Sequence, residues 1–374
     1  MSTAVRRNAS AVVNLGDQPG SAKNATTAIE LPNRRTETML RIYIGVTAML
    51  HLGGAIATLI LMLRNTQIVP LVRTYIMWPA EDSAASTFSF GALKATEINM
   101  GLLVLAFFLL SFFFQIITIV NIQIPGTRLK LNIWKFYITK LTTQCINPFR
   151  WIEYSFSASC LFLLGSLING VTELHHVMLI FVAMWVVMIL GLVQEVVAFY
   201  LRRLEATGFL INTLNAQIQA VKESSPRDVD LTSLAVIFLK DRNDNAVPPI
   251  KRNILEFVLP HLVGWVLYIF LWAAELDRFK LGMDNAPSNP PTWVIAFYVI
   301  EFFLFSSFGF NQFYQMVRLY RLPIGKFDNV DEGMWSIAIH AEWRYVTLSV
   351  TAKTLCGYFL LSGMLASSSA AKYA

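Results

Sequence analysis

The 374-residue chain has little charge and little cysteine, and it carries no pattern of known catalytic chemistry. Charged side chains make up 14% of it, where a soluble domain carries roughly a quarter. A water-soluble fold of this length could not cover its core with so few, which excludes a soluble globular enzyme. Three cysteines (Cys145, Cys160 and Cys356) are too few for a disulfide framework. No internal repeat is present, so a solenoid is not expected. No phosphate-binding loop, metal-ligand spacing or Ser-His-Asp pattern occurs. The chain therefore reads as no enzyme, with no catalytic residue and no metal site expected. What it does have is 55% hydrophobic residues and a mean hydropathy of +0.52. It reads as an integral membrane protein.

Seven apolar segments are each near the ~20 residues that a helix needs to cross a hydrocarbon core. They lie at about 42–63, 98–121, 149–171, 177–201, 254–274, 292–316 and 344–366. The expected fold is an all-α membrane protein of seven transmembrane helices, with a core over 41–367. Residues 1–40 are polar and read as a disordered cytoplasmic tail, without the pattern of a signal peptide. Residues 368–374 form a short tail on the other side. The segment 64–97 carries Ile68, Val69, Val72, Tyr75 and Ile76, which suit a short extracellular β-hairpin. The segment 202–252 combines an expected helix at Phe209–Val221 with a charged, proline-containing stretch at Lys240–Pro249.

The net charge of +6 could suggest nucleic acid, but its distribution points to a membrane. With the N-terminus inside, 23 of the 30 Lys and Arg side chains fall on the inner side and 6 on the outer. Such a bias sets the N-terminus in the cytoplasm and the C-terminus outside. The remaining cation is Lys353, in the middle of the seventh span.

A charge in hydrocarbon costs ~3 kcal/mol or more, so each needs a purpose or a partner. The intramembrane inventory is Lys353, Glu153, Glu195 and Glu301, with His51 and His261. Glu97, Glu275 and Arg344 lie near span ends and read as interfacial anchors. Lys353 lies nine residues past Arg344, ~13 Å along the helix, too deep to reach either face comfortably. Three fates are open to it: an ion pair, an anion site, or an imine with an aldehyde, since a desolvated neutral amine is nucleophilic. Glu153 lies within about one turn of the same depth in the third span. Ser157 and Ser349 stand four residues from Glu153 and Lys353, each on the face of its partner. A cation, an anion and two hydroxyls can thus meet between helices. Trp265, Tyr268, Phe305, Phe308 and Phe310 could wall a cavity there, although aromatic core packing is the plainer explanation.

These residues resemble the heliorhodopsin family. The matching strings are NPFRWIEYSFSAS (Asn147–Ser159), LSVTAK (Leu348–Lys353), His51 in MLHL, and SFGFNQF (Ser307–Phe313). The inverted, N-inside topology fits as well. The resemblance implies that Lys353 carries all-trans retinal as a protonated Schiff base, with Glu153 as counterion. It implies that Ser111, Ser157 and Ser349 hydrogen-bond around that centre, with Trp265 and Phe308 as pocket walls. It also implies a homodimer among membrane lipid. Ser349 stands where ion pumps of the wider class carry an aspartate, so an ordinary light-driven pump is not expected. Gln115 stands where the family commonly has a histidine, and a glutamine accepts no proton at physiological pH. Glu301 adds a sixth-span carboxylate that many members lack.

His51, Gln115, Glu195 and Glu301 form the candidate proton path or polar network. The leading expectation is a photoreceptor: retinal isomerises, the Schiff base loses its proton, and a slow photocycle signals to an unknown cytoplasmic partner. The first alternative is a light-gated proton channel or transporter that uses Glu301. A further alternative drops retinal for a seven-helix receptor or transporter with a Lys–Glu pair. No nucleic-acid partner is expected.

Overall fold

The computed structural model describes residues 34–64, 68–77, 89–123, 130–224, 253–285, 290–322 and 327–370. Helix α1 (Arg34–Arg64) leads to strands β1 (Ile68–Met77) and β2 (Ser89–Asn99), then to α2 (Met100–Ile119). Short strands β3 (Asn121–Gln123) and β4 (Lys130–Asn132) precede α3 (Ile133–Gln144) and α4 (Pro148–Ile168). Four long helices follow: α5 (Leu174–Ser224), α6 (Ile254–Asn285), α7 (Thr292–Arg321) and α8 (Phe327–Ala370). The long helices alternate in direction, which gives the bundle an α3 end and a hairpin end.

Among the described residues, six helices are long and apolar enough to cross a membrane. They are α1, α2, α4, α5, α6 and α7, and they make the chain a multi-pass membrane protein. The expected seventh span lies in α8, which is not among the six. Lys353 and the run of hydroxyls from Thr347 to Thr354 dilute its apolar character. Residues Arg34 to Leu40, expected in the tail, belong to α1, and residues 1–33 lie outside the described set. The helix expected at Phe209–Val221 is the continuation of α5, unbroken from the fourth span. The stretch Lys240–Pro249 lies outside the described residues, as do 371–374.

Helix α3 was not expected. Asn132 starts it by accepting from Lys135 N at 2.8 Å, and Cys145 ends it in the left-handed region at φ 56°. The pairing of β1 with β2 is antiparallel, from Ile68 opposite Asn99 to Met77 opposite Ser89, with a bulge between Leu71 and Val72. Leu71 is buried, and Val72 N donates to Thr172 O at 2.9 Å. The hairpin is thereby fixed to the α4–α5 turn.

Helix α4 is the central element. Its apolar window is 83% buried, against 22–33% for the other five spans, whose remaining faces point outward. Pro148 at its first turn and Asn147 as its cap begin it cleanly, Asn147 Oδ1 accepting from Arg150 N at 3.1 Å. Gly191 of α5 lets that helix lie directly on the Trp151 ring, where any Cβ would overlap the indole.

Pro260 interrupts α6, and Gln194 of α5 repairs the break. Its Nε2 donates to Phe257 O, and its Oε1 accepts from His261 N at 3.1 Å. The side-chain amide thus stands in for the helical bond between Phe257 and His261.

Candidate functional site

Glu153 and Lys353, two hundred positions apart, form a buried ion pair between α4 and α8, each 4% exposed. Three donors converge on Glu153 Oε1: Lys353 Nζ, Ser111 Oγ at 2.9 Å and Ser157 Oγ at 3.3 Å. Lys353 Nζ also lies 5.3 Å from the centre of the Tyr154 ring. A buried charge pair is tolerated when it is both matched and hydrogen-bonded, and this one is.

Lys353 opens onto a cavity of about 430 Å³ whose walls include Phe107, Leu161, Leu304, Phe305 and Phe308. A second cavity, lined by Trp265, Tyr268, Gly264 and Gly309, shares Met188, Phe305 and Phe308 with the first. Together they make an elongated, largely aromatic space running from the lysine toward α6. Gly309 is required there, because a Cβ would come within 2.7 Å of the Trp265 indole. Trp265 is held by Nε1 donating to His261 Nε2 at 2.8 Å, and Phe308 packs edge-on against Tyr154. Both expected wall residues line the space.

Beyond the pair, toward the α3 end, lies a third, polar cavity. Glu153, Tyr154 and Ser349 line it, and Tyr154 and Ser349 also line the first. The ion pair therefore sits at the partition between an apolar chamber and a polar one.

The four residues grouped as a proton path or polar network lie in separate places around the Lys353–Glu153 pair. Gln115 accepts from Thr47 Oγ1 at 2.9 Å in the polar cavity. His51 is buried against Phe108, and its Nε2 has no hydrogen-bond partner among the described residues. Glu195 is locked to Arg150, and Glu301 lies on the other side of Lys353, in the wall of its cavity.

Sequence reasoning missed Arg150, Glu342, Asn147 and the setting of Glu275. Arg150 was counted as a connection cation but is buried between Glu195 and Glu342. Asn147 completes the cluster, its N donating to Glu195 Oε2 at 2.8 Å and its Nδ2 to Glu342 Oε1 at 2.9 Å. The spacing of Arg150, three before Glu153 on one helical face, was the available signal. Glu275 is no interfacial anchor: it is 4% exposed and accepts from Ser166 Oγ at 2.5 Å and Asn169 Nδ2 at 2.9 Å. Glu97 does behave as an exposed residue, paired with Lys94.

With this geometry in place, one known family is similar to the chain. Residues 40–220 match the heliorhodopsin family model. Over that stretch, a little under half of its length, the chain is similar to the heliorhodopsin family. No curated protein matches it. Heliorhodopsins are retinal-binding rhodopsins of seven membrane helices. The residues fit that group: a buried primary amine with one carboxylate beside it, at the end of a long aromatic cavity.

Proposed function

We propose that the protein is a light-sensing photoreceptor in which Lys353 carries all-trans retinal and Glu153 is the counterion. The observation that supports this most strongly is the buried Lys353–Glu153 pair at the end of the aromatic cavity. Retinal, bound as the Schiff base of Lys353, supplies light absorption and isomerisation. The chain's own residues do the rest. Ser111 and Ser157 donate to Glu153 and hold its carboxyl group in place, so one acidic side chain faces the Lys353 nitrogen. Tyr154, Phe308 and Trp265 fix the path of an extended ligand and exclude water from it. Glu153 also borders the polar cavity, so a proton released beside Lys353 would meet a carboxylate and a polar chamber on the α3 side. In this reading the α3 end faces the cytoplasm, in keeping with the 23-to-6 distribution of cations. The slow cycle changes that face, where an unidentified signalling partner docks on a homodimer.

A second reading is a light-gated proton conductance. Glu301 favours it: a carboxylate 1% exposed, in the wall of the Lys353 cavity, with Oε1 free of any hydrogen-bond partner. Illumination under voltage clamp separates the readings, because a sensor passes no current. A current abolished by Glu301→Gln, with little change in colour, assigns the conductance to that side chain.

The primary test is a visible absorption spectrum of purified protein given all-trans retinal, beside Lys353→Ala. A visible band only when Lys353 is present is the expected result. Two colourless but folded samples would remove the retinal reading and return Lys353 to the role of an ion-pair or ligand residue.

A further inference from the structure

Near the α3 end of α7 and α8, two guanidiniums meet one aromatic ring. Arg344 lies 4.7 Å and Arg318 5.9 Å from the centre of Tyr314. Among the described residues neither arginine has a carboxylate within ion-pair distance, unlike Arg150 with two. An arginine that merely reaches the interface keeps its terminal nitrogens in water. Arg344 does not: Nε donates to Asn311 Oδ1 at 2.6 Å, while Nη2 is closed off and has no acceptor. The Nδ2 of Asn311 is likewise buried and without an acceptor, on a side chain only 8% exposed. Their mutual hydrogen bond holds these two donors side by side.

An unbalanced cation with two fixed, unsatisfied donors is complementary to an oxyanion, and a guanidinium fork suits phosphate best. What borders the site identifies the carrier. Phe310, Phe313 and Tyr314 are 63%, 44% and 49% exposed, an apolar strip beside the arginines on a membrane helix. Such a strip faces acyl chains, so the phosphate arrives attached to one.

We infer that Arg344, Asn311 and Arg318 form a site for the phosphate of an anionic phospholipid, with its acyl chains along the α7 strip. Arg344 and Asn311 grip the oxyanion through Nη2 and Nδ2 once the side chains covering these two atoms move aside, and exposed Arg318 closes over it. The site is separate from the retinal cavity and does not depend on it.

The test uses the full chain purified in detergent, with native mass spectrometry of retained phosphatidylglycerol against phosphatidylcholine. Wild type is expected to prefer phosphatidylglycerol by ~10-fold, about 1.4 kcal/mol. The pair Arg318→Gln with Arg344→Gln should remove that preference, whereas Arg64→Gln, at the hairpin end, should leave it. Should the double variant fold poorly, Asn311→Asp serves instead. It gives Arg344 a carboxylate in the anion's place, so phosphatidylglycerol should raise the melting temperature of wild type but not of Asn311→Asp. Inorganic phosphate should fail to displace the lipid. If phosphate alone displaces it with the same dependence on Asn311, the occupant is a soluble anion and the lipid assignment falls. Equal lipid preference in wild type and Asn311→Asp overturns the site altogether.

Discussion

Two sets of buried carboxylates flank the Lys353–Glu153 pair, and they are built in opposite ways. Toward the α3 end, Glu195 and Glu342 share Arg150, and Asn147 supplies the remaining donors, so all four carboxylate oxygens are bonded. Toward the hairpin end, Glu275 has only the neutral donors Ser166 and Asn169, and Glu301 has an oxygen with no donor. The first set is a structural knot whose charges are matched in place. Among the described residues the second lacks a cation, and one of its two members, Glu301, borders the Lys353 cavity. Burial of an acid therefore does not by itself mark function; the count of its donors separates the two cases.

The comparison breaks most easily at Arg150. Arg150→Gln leaves two buried carboxylates facing one another, and a loss of ~3–5 kcal/mol is expected. Thermal melting in detergent measures it, and a variant melting like wild type would show that the knot is not structural. Glu342→Gln, which keeps the shape and one charge pair, should cost less, ~1–3 kcal/mol. Glu301→Gln should change stability by under ~1 kcal/mol, because no cation or donor depends on its charge. A large loss there would make the two sets alike.

The smallest effect belongs to a carboxylate partnered but not buried. Glu173 accepts from His175 Nδ1 at 2.9 Å and from His176 N at 2.6 Å, at the start of α5. The His175 contact first, then the backbone amide, holds its carboxyl below the ordinary 4.5. The stabilisation is thus full at neutral pH and fades as pH falls below about 4.5 through the lowered value. Glu173→Gln should flatten the acid limb of the melting profile slightly and leave neutral pH nearly unchanged, since exposed pairs contribute little.

The meeting of Lys353 and Glu153 was legible because depth and helical face follow from counting. Ser157, four residues from Glu153, was legible for the same reason. Arg150 was not, because its burial depends on Glu342, which lies in a segment that reads as connection rather than helix. Glu275 was misread for a related reason. Near a span end, sequence cannot distinguish a side chain that reaches water from one that turns onto Ser166 and Asn169 of a neighbouring helix. The hairpin residues carry a β pattern, whereas α3 depends on a single asparagine cap that spacing alone does not single out. The split of the polar residues into separate chambers depends on which helix faces which, and no linear pattern carries that.

Gln194 also bears on how the bundle can move. Because its amide spans the gap at Pro260, one link between the two halves of α6, that of Phe257 with His261, runs through a side chain of α5. Any flexing at that proline must carry α5 along or release Gln194. The residue after Gln194 is Glu195, which is tied to Arg150 and through it to Glu342 on α8. A bend in one helix is thus mechanically a four-helix event, and Gln194 is its coupling pin.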